Sequence, residues 1–302
     1  MYSIGVDIGG SHISCGMYDH LNKRLLRETL VHRKVDTMAS KNAILESWFS
    51  AISETVKSME LPFIGIGIAM PGPFDYFNGI SYIAEVDKLS ALYEVNIRQK
   101  LSVRFGLSPS KIRFINDASA FSIAEALTGK ACGYSRTVAI TLGTGFGSSF
   151  LVDAQPVVQG VNVPDGGFLY NHFYKGRLAD DIFSTRGILS RYNLLSGKEL
   201  KNVRELSDLV VHDQDARRVF ELFGEELGQF IGPYLRKFNA EVLVIGGNIS
   251  KAYDHFGINL SRQCPQLVIY VSEFGEEAAI IGSALLLEDE FYTNLKPTLK
   301  LM

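Results

Sequence analysis

Hydrophobic positions along this chain follow two alternating rhythms. Near-continuous or alternating apolar runs predict strands over residues 3–7, 13–18, 24–33 and 63–70, the last stopped by Pro71-Gly72-Pro73. Three- and four-residue spacing takes over at 40–59, where Ile44, Trp48, Ile52 and Val56 share one face of a helix. Residues 93–105 and 118–127 read as helices on either side of a short strand at 112–115. Strand and helix therefore alternate, which argues for an α/β architecture.

A strand pair follows from residue 136, then a loop-rich stretch at about 160–179 and a helical stretch near 181–195. The clearest helix spans 215–238, with Val219, Phe220, Phe223, Leu227, Phe230, Ile231, Tyr234, Leu235 and Phe238 on one wide apolar face that reads as core. A buried strand at 241–245 breaks at Gly246-Gly247-Asn248, and 276–287 is a helix of small residues suited to close packing on a sheet or to a return to the first lobe.

Two segments run in step: Val6-Asp-Ile-Gly-Gly-Ser-His-Ile-Ser-Cys-Gly-Met-Tyr-Asp19 and Ile140-Thr-Leu-Gly-Thr-Gly-Phe-Gly-Ser-Ser-Phe-Leu-Val-Asp153. Each is an apolar strand, a turn of glycines and hydroxyls, a strand with small residues and a closing aspartate. Such turns can aim peptide N–H groups at phosphate oxygens, and they also satisfy ordinary hairpin geometry. Their spacing of half a chain fits duplication of a domain. Asp7 has two readings, a carboxylate holding Mg²⁺ through water or a cap on the turn at Gly9-Gly10; Ser11 follows whichever holds. Asn116-Asp117 closes a strand and opens a helix, so it is either a helix cap or a general base with a neighbour that holds hydroxyls. Gly246-Gly247 either leaves room for an adenine-ribose unit or makes a plain strand-to-helix turn.

Composition narrows the classes. With 302 residues, 46% of them apolar, and a net charge of −3, the chain reads as a globular protein large enough for two lobes. Basic residues are scattered, His32-Arg33-Lys34 being the densest group, so no nucleic-acid partner is indicated. No apolar run has the length of a membrane span and the first residues lack the pattern of a signal peptide, so the expected location is cytoplasmic and no membrane partner is expected. Cys15, Cys132 and Cys264 are far apart and read as buried thiols, and no histidine spacing suggests a metal. His172 and the loop aspartates Asp165, Asp180 and Asp181 read as ordinary loop residues unless their context is special.

Five motifs in order give that context. Asp7-Ile-Gly-Gly-Ser11, Gly65-Ile-Gly-Ile-Ala-Met-Pro-Gly-Pro73, Asn116-Asp117-Ala118, Leu142-Gly-Thr-Gly-Phe-Gly147 and Val244-Ile-Gly-Gly-Asn248 together resemble the ROK family of sugar kinases and regulators, over nearly the whole chain. The resemblance implies two actin-like (ribonuclease-H-like) α/β lobes with an interlobe cleft: a small lobe of residues 1–117, completed by a C-terminal helix at 288–302, and a larger one of 118–287. It implies ATP and Mg²⁺ as cofactors, a sugar as substrate, Asp117 as catalytic base, and a homodimer. Asp7, Gly9, Gly10, Ser11, Gly143, Thr144, Gly145, Gly147, Gly246 and Gly247 would then serve the nucleotide, Asp7 reaching the metal indirectly, and Pro71, Gly72, Asn116, Asp165 and Asp180 the sugar.

The chain departs from the family where the sugar would be read. Many members carry Glu-x-Gly-His and a cysteine-rich zinc loop; here the matching stretch is Asp165-Gly-Gly-Phe168, the cysteines are missing, and Asp180 stands where a second glutamate is expected. No zinc site is therefore expected, and a standard hexose pose does not carry over. Glu85 and Asp87 lie in a loop that also leaves the family pattern, as part of an altered specificity surface or merely exposed. The expected function is phosphorylation of a sugar hydroxyl, of a glucokinase-like hexose or an amino sugar; the alternative is a non-catalytic sugar-sensing ROK protein without a DNA-binding domain.

Overall fold

Strands and helices alternate as the hydrophobic rhythms require in the computed structural model, which describes residues 1–59, 61–84 and 88–302. Along the chain come β1 (Tyr2–Ile8), β2 (His12–Asp19), β3 (Arg24–Lys34), α1 (Lys41–Lys57), β4 (Phe63–Met70), the short β5 (Phe74–Asp75) and β6 (Ile80–Ser81), α2 (Ile97–Phe105), β7 (Ile112–Asn116) and α3 (Asp117–Thr128). The second half holds β8 (Arg136–Leu142), β9 (Phe146–Val152), β10 (Gln155–Pro156), β11 (Phe173–Tyr174), β12 (Arg177–Leu178), α4 (Ala179–Ile182), α5 (Thr185–Ser196), α6 (Val203–Leu209) and α7 (Gln214–Phe238). Then follow β13 (Val242–Gly246), α8 (Tyr253–Gln263), β14 (Val268–Val271), α9 (Glu277–Leu285) and α10 (Asp289–Leu299).

Two units result, residues 1–124 with 276–302 and residues 125–275. The first contains a sheet of order β3-β2-β1-β4-β7, in which β1, β2 and β3 are antiparallel and β4 and β7 are added in parallel. α9 returns from the far end of the chain to lie on this sheet. Glycine makes the approach possible: a Cβ at Gly5 would stand 2.0 Å from the Ile280 carbonyl oxygen, one at Gly67 1.7 Å from that of Ser283, and one at Gly282 1.8 Å from that of Ala120. Ser3 donates its hydroxyl to the Ala284 carbonyl, and the Ser283 hydroxyl accepts from the Val6 N–H. The expected boundary after residue 117 and the return at 288 thus differ from the division found. The reason is this helix-on-sheet packing, which brings in everything from Glu276 onward.

The second unit repeats the order with β10-β9-β8-β13-β14, again an antiparallel hairpin followed by two parallel strands. Its core is built on α7, whose Phe220, Phe223, Phe230 and Phe238 are buried against Phe146, Phe150 and Phe183. Asp213 caps α7 by accepting from the Asp215 and Ala216 N–H groups, and Asn239 ends it in the left-handed region.

Local chemistry explains where the elements depart from the periodic reading. The helix expected from residue 93 starts at Ile97, because Glu94 has φ 59° and Asn96 caps the helix by accepting from the Gln99 N–H. The stretch near 181–195 resolves into α4 and α5, separated by an extended Ser184. Cys15 and Cys264 are buried as expected, but Cys132 is exposed, since it falls in the turn between α3 and β8 instead of on a packed face. Among the described residues no helix is long and apolar enough to cross a membrane.

Candidate active site

In the first unit, the turn between β1 and β2 is closed by a hydrogen bond from the Gly9 N–H to the His12 carbonyl, and Val35 N–H to Ser11 O ties it to the chain after β3. Asp7 stands at the end of β1 with its side chain 18% exposed, and His12 Nε2 lies 3.9 Å from its carboxylate. The neighbouring Asp7 carboxylate raises the pKa of the His12 imidazole against the opposing effect of burial. The same ring lies over Gly9, where a Cβ would meet it at 2.4 Å. Gly9, Gly10 and Ser11 therefore leave backbone at the surface, flanked by one carboxylate and one imidazole.

Asn116 and Asp117 take different duties. Asn116, buried at the end of β7, accepts from the Ser119 N–H at 3.2 Å and so caps α3, while its amide lies 3.4 Å from the Tyr76 hydroxyl. Asp117 opens α3, partly buried, and its Oδ1 accepts from the Ala118 N–H at 2.8 Å. Burial pushes the Asp117 carboxyl above the usual aspartate range and the charge of Asp7 adds to that shift, with its hydrogen bonds acting against both. A carboxylate held in this way is a proton acceptor of raised basicity. Pro71 and Gly72 follow β4, and the Tyr76 hydroxyl beside them donates to the Met70 carbonyl at 2.9 Å. Glu85 and Asp87 lie outside the described residues.

In the second unit, residues 143–145 connect β8 to β9, and Gly147 pairs with Thr141 within the ladder. Gly143 N–H donates to the Gly145 carbonyl at 3.0 Å, and the Gly143 carbonyl accepts both the N–H (2.8 Å) and the hydroxyl (2.9 Å) of Thr185. A Cβ at Gly143 would meet nothing within 4 Å, so this backbone is open on its outer side. Gly246 ends β13, and Gly247 is required by space and by conformation: its φ is +81°, and a Cβ there would lie 2.3 Å from the Leu142 carbonyl oxygen. Thr185, Asn202, Arg204, Ser207, Asn248 and Lys251 line a cavity of about 530 Å³ beside these two motifs. Lys251 Nζ donates to Asn248 Oδ1 at 2.7 Å. Sequence reading missed Arg204, Lys251 and Thr185; only the position of Lys251 just past Gly246-Gly247-Asn248 hinted at one of them.

The loop residues expected at the sugar are placed less simply. Asp180 Oδ1 accepts from the Phe146 N–H at 2.7 Å and its other oxygen pairs with Arg186, which also holds Asp181. Its carboxylate thus braces the second glycine turn. Asp165 is exposed in a tight turn, and the Phe168 ring folds over Gly166 of that turn, 5.9 Å from the Tyr170 ring. His172 is engaged with the Tyr234 hydroxyl at 2.9 Å.

Asp7 offers oxygen donors only, partly exposed beside the first turn, which fits a hydrated Mg²⁺ held through water. Among the described residues no group of three or more His, Cys, Asp or Glu side chains could hold a metal ion by itself.

The family profile described as ROK family matches residues 3–290. A glucokinase of Thermotoga maritima is 27% identical over 95% of this chain and 97% of its own length. An N-acetyl-D-glucosamine kinase of Haemophilus influenzae is 25% identical over 93% of this chain and 98% of its own. Among solved structures, a ROK family glucokinase of Streptomyces griseus in complex with glucose and AMPPNP superposes with a TM-score of 0.74 at 18% identity, covering 95% of this chain and 99% of that one. Likeness at that level shows the fold, which is the actin-like α/β fold in both units.

Proposed function

The chain belongs to the ROK family, and on that premise we propose that it is an ATP-dependent sugar kinase that phosphorylates a hydroxyl of a glucose-like hexose or an amino sugar. The observation that carries the reading is Asp117: a partly buried carboxylate of raised pKa at the start of α3, in the unit that also holds Asp7 and the Gly9-Gly10 turn. The relatives named as glucokinase and N-acetyl-D-glucosamine kinase support the substrate class.

In this scheme Asp117 accepts the proton of the acceptor hydroxyl as its oxygen attacks the γ-phosphorus and the bond to the ADP oxygen breaks. Asn116 fixes the start of α3 so that the base keeps its direction. The turns at Gly9-Gly10-Ser11 and Gly143-Thr144-Gly145, closed by their own Gly9 and Gly143 N–H groups, serve the phosphates through their remaining backbone N–H groups, with Gly147 behind the latter. Gly246, Gly247 and the cavity lined by Arg204 and Lys251 serve the nucleoside. Pro71, Gly72 and Asp165 are left for the sugar, whereas Asp180 acts through Phe146 on the second turn. Mg²⁺, held through water by Asp7, supplies charge neutralisation on the phosphates when bound.

The test is ADP release by the wild type and by Asp117→Asn across a panel of hexoses and amino sugars. The wild type is expected to turn over at least one of them, and Asp117→Asn to lose roughly 10²-fold or more in kcat. Undiminished turnover in the variant would remove Asp117 from the role of base.

A further inference from the structure

Lys88 lies on the first glycine turn. A Cβ at Gly10 would stand 3.2 Å from Lys88 Cδ and 3.3 Å from its Nζ, so the lysine stem crosses the turn where glycine leaves room, and the ammonium ends beside it. This placement is built. The next residue, Leu89, is buried and takes φ 61°, a conformation that a branched aliphatic residue rarely adopts, and its N–H donates to the Thr37 carbonyl at 2.9 Å. Thr37 in turn donates its hydroxyl to the Gly10 carbonyl at 3.2 Å. The lysine's backbone is thereby tied, through Leu89 and Thr37, to the residue its side chain covers.

Among the described residues the Lys88 side chain has no hydrogen-bond or ion-pair partner. Its ammonium ends beside backbone that the kinase reading gives to phosphate. We propose that Lys88 binds the transferring phosphoryl group, a role that rests on the kinase reading above. It lies in the same unit as Asp117. Negative charge spreads over the equatorial oxygens of the transferring group, and a fixed cation aimed there stabilises it more than it stabilises a nucleotide lacking that group.

The test compares AMPPNP and ADP binding by calorimetry, with Mg²⁺, for the wild type, Lys88→Met and Lys88→Arg, alongside ADP release with the sugar panel. Lys88 is exposed, so the variants are expected to keep the wild-type Tm. Lys88→Met should weaken AMPPNP about tenfold while leaving ADP within about twofold, lower kcat, and be largely rescued by arginine. Equal weakening of AMPPNP and ADP would mark a structural role, and unchanged AMPPNP binding would leave Lys88 without a phosphate contact; either overturns the proposal. A wild type that turns over sugars while Lys88→Met behaves like it sinks only this inference. A wild type that binds neither nucleotide and turns over no sugar sinks the kinase reading and this inference with it.

Discussion

A single carboxylate, Asp117, links stability to the proposed chemistry. Its pKa stands above the ordinary aspartate value of 3.8, chiefly through burial. A group that holds its proton more tightly when folded favours the folded state at low pH, and works against it as pH rises past the unfolded value. Asp117→Asn removes that cost and keeps an oxygen for the Ala118 N–H. The variant is therefore expected to melt at or above the wild-type temperature near neutral pH, with the difference shrinking as pH falls toward 3.8; Tm measured across pH checks it. Asn116-Asp117 was legible in the sequence as a pair of alternatives, and the structure shows the cap at Asn116, which accepts from the Ser119 N–H. Asp180 was not legible in this way, because its partners, the Phe146 N–H and Arg186, become neighbours only when the loop after β9 folds back. Lys88 and Arg204 left no pattern either, since a lone cation in a loop or a short helix has no periodicity to betray it.

At the scale of elements, glycines that look alike in sequence do different work. Gly67 sits inside β4, where a methyl group would drive into the Ser283 carbonyl, while the space outside Gly143 is open. Gly67→Ala should cost about 3 kcal/mol or more, read as a lower denaturation midpoint at unchanged m-value. Gly143→Ala should cost less than about 1 kcal/mol. Strands β1, β2, β4 and β7 could be read as near-continuous apolar runs buried on both faces, and helices α1 and α7 as stripes that bury one face. The hairpin of β11 and β12, and helix α6, escaped such a reading. The hairpin strands have two residues each, and α6 is too short for a stripe to repeat.

For the whole molecule, the duplicated hairpins were the visible trace of two sheets with the same strand order. The return of α9 to the first sheet stood in the sequence only as one of two readings of residues 276–287, because small residues suit close packing on any sheet. A chain ending at Gly275 would lose α9 and α10 and uncover the glycine face of β1 and β4. Trp48, the one tryptophan of the chain, is 1% exposed in α1 of that unit and reports on it alone. Truncation should shift its emission to the red, whereas the α7-centred helical signal of the other unit should persist in circular dichroism.

That same return sets an order of events during synthesis. The unit of residues 125–275 is continuous and is complete as soon as it leaves the ribosome. The unit carrying Asp7 and Asp117 begins earlier but closes last, because its sheet waits for residues 276–302 while the entire other unit is translated. Through that interval an apolar, glycine-lined sheet face stands open in the nascent chain, and it is there that a chaperone would find its work.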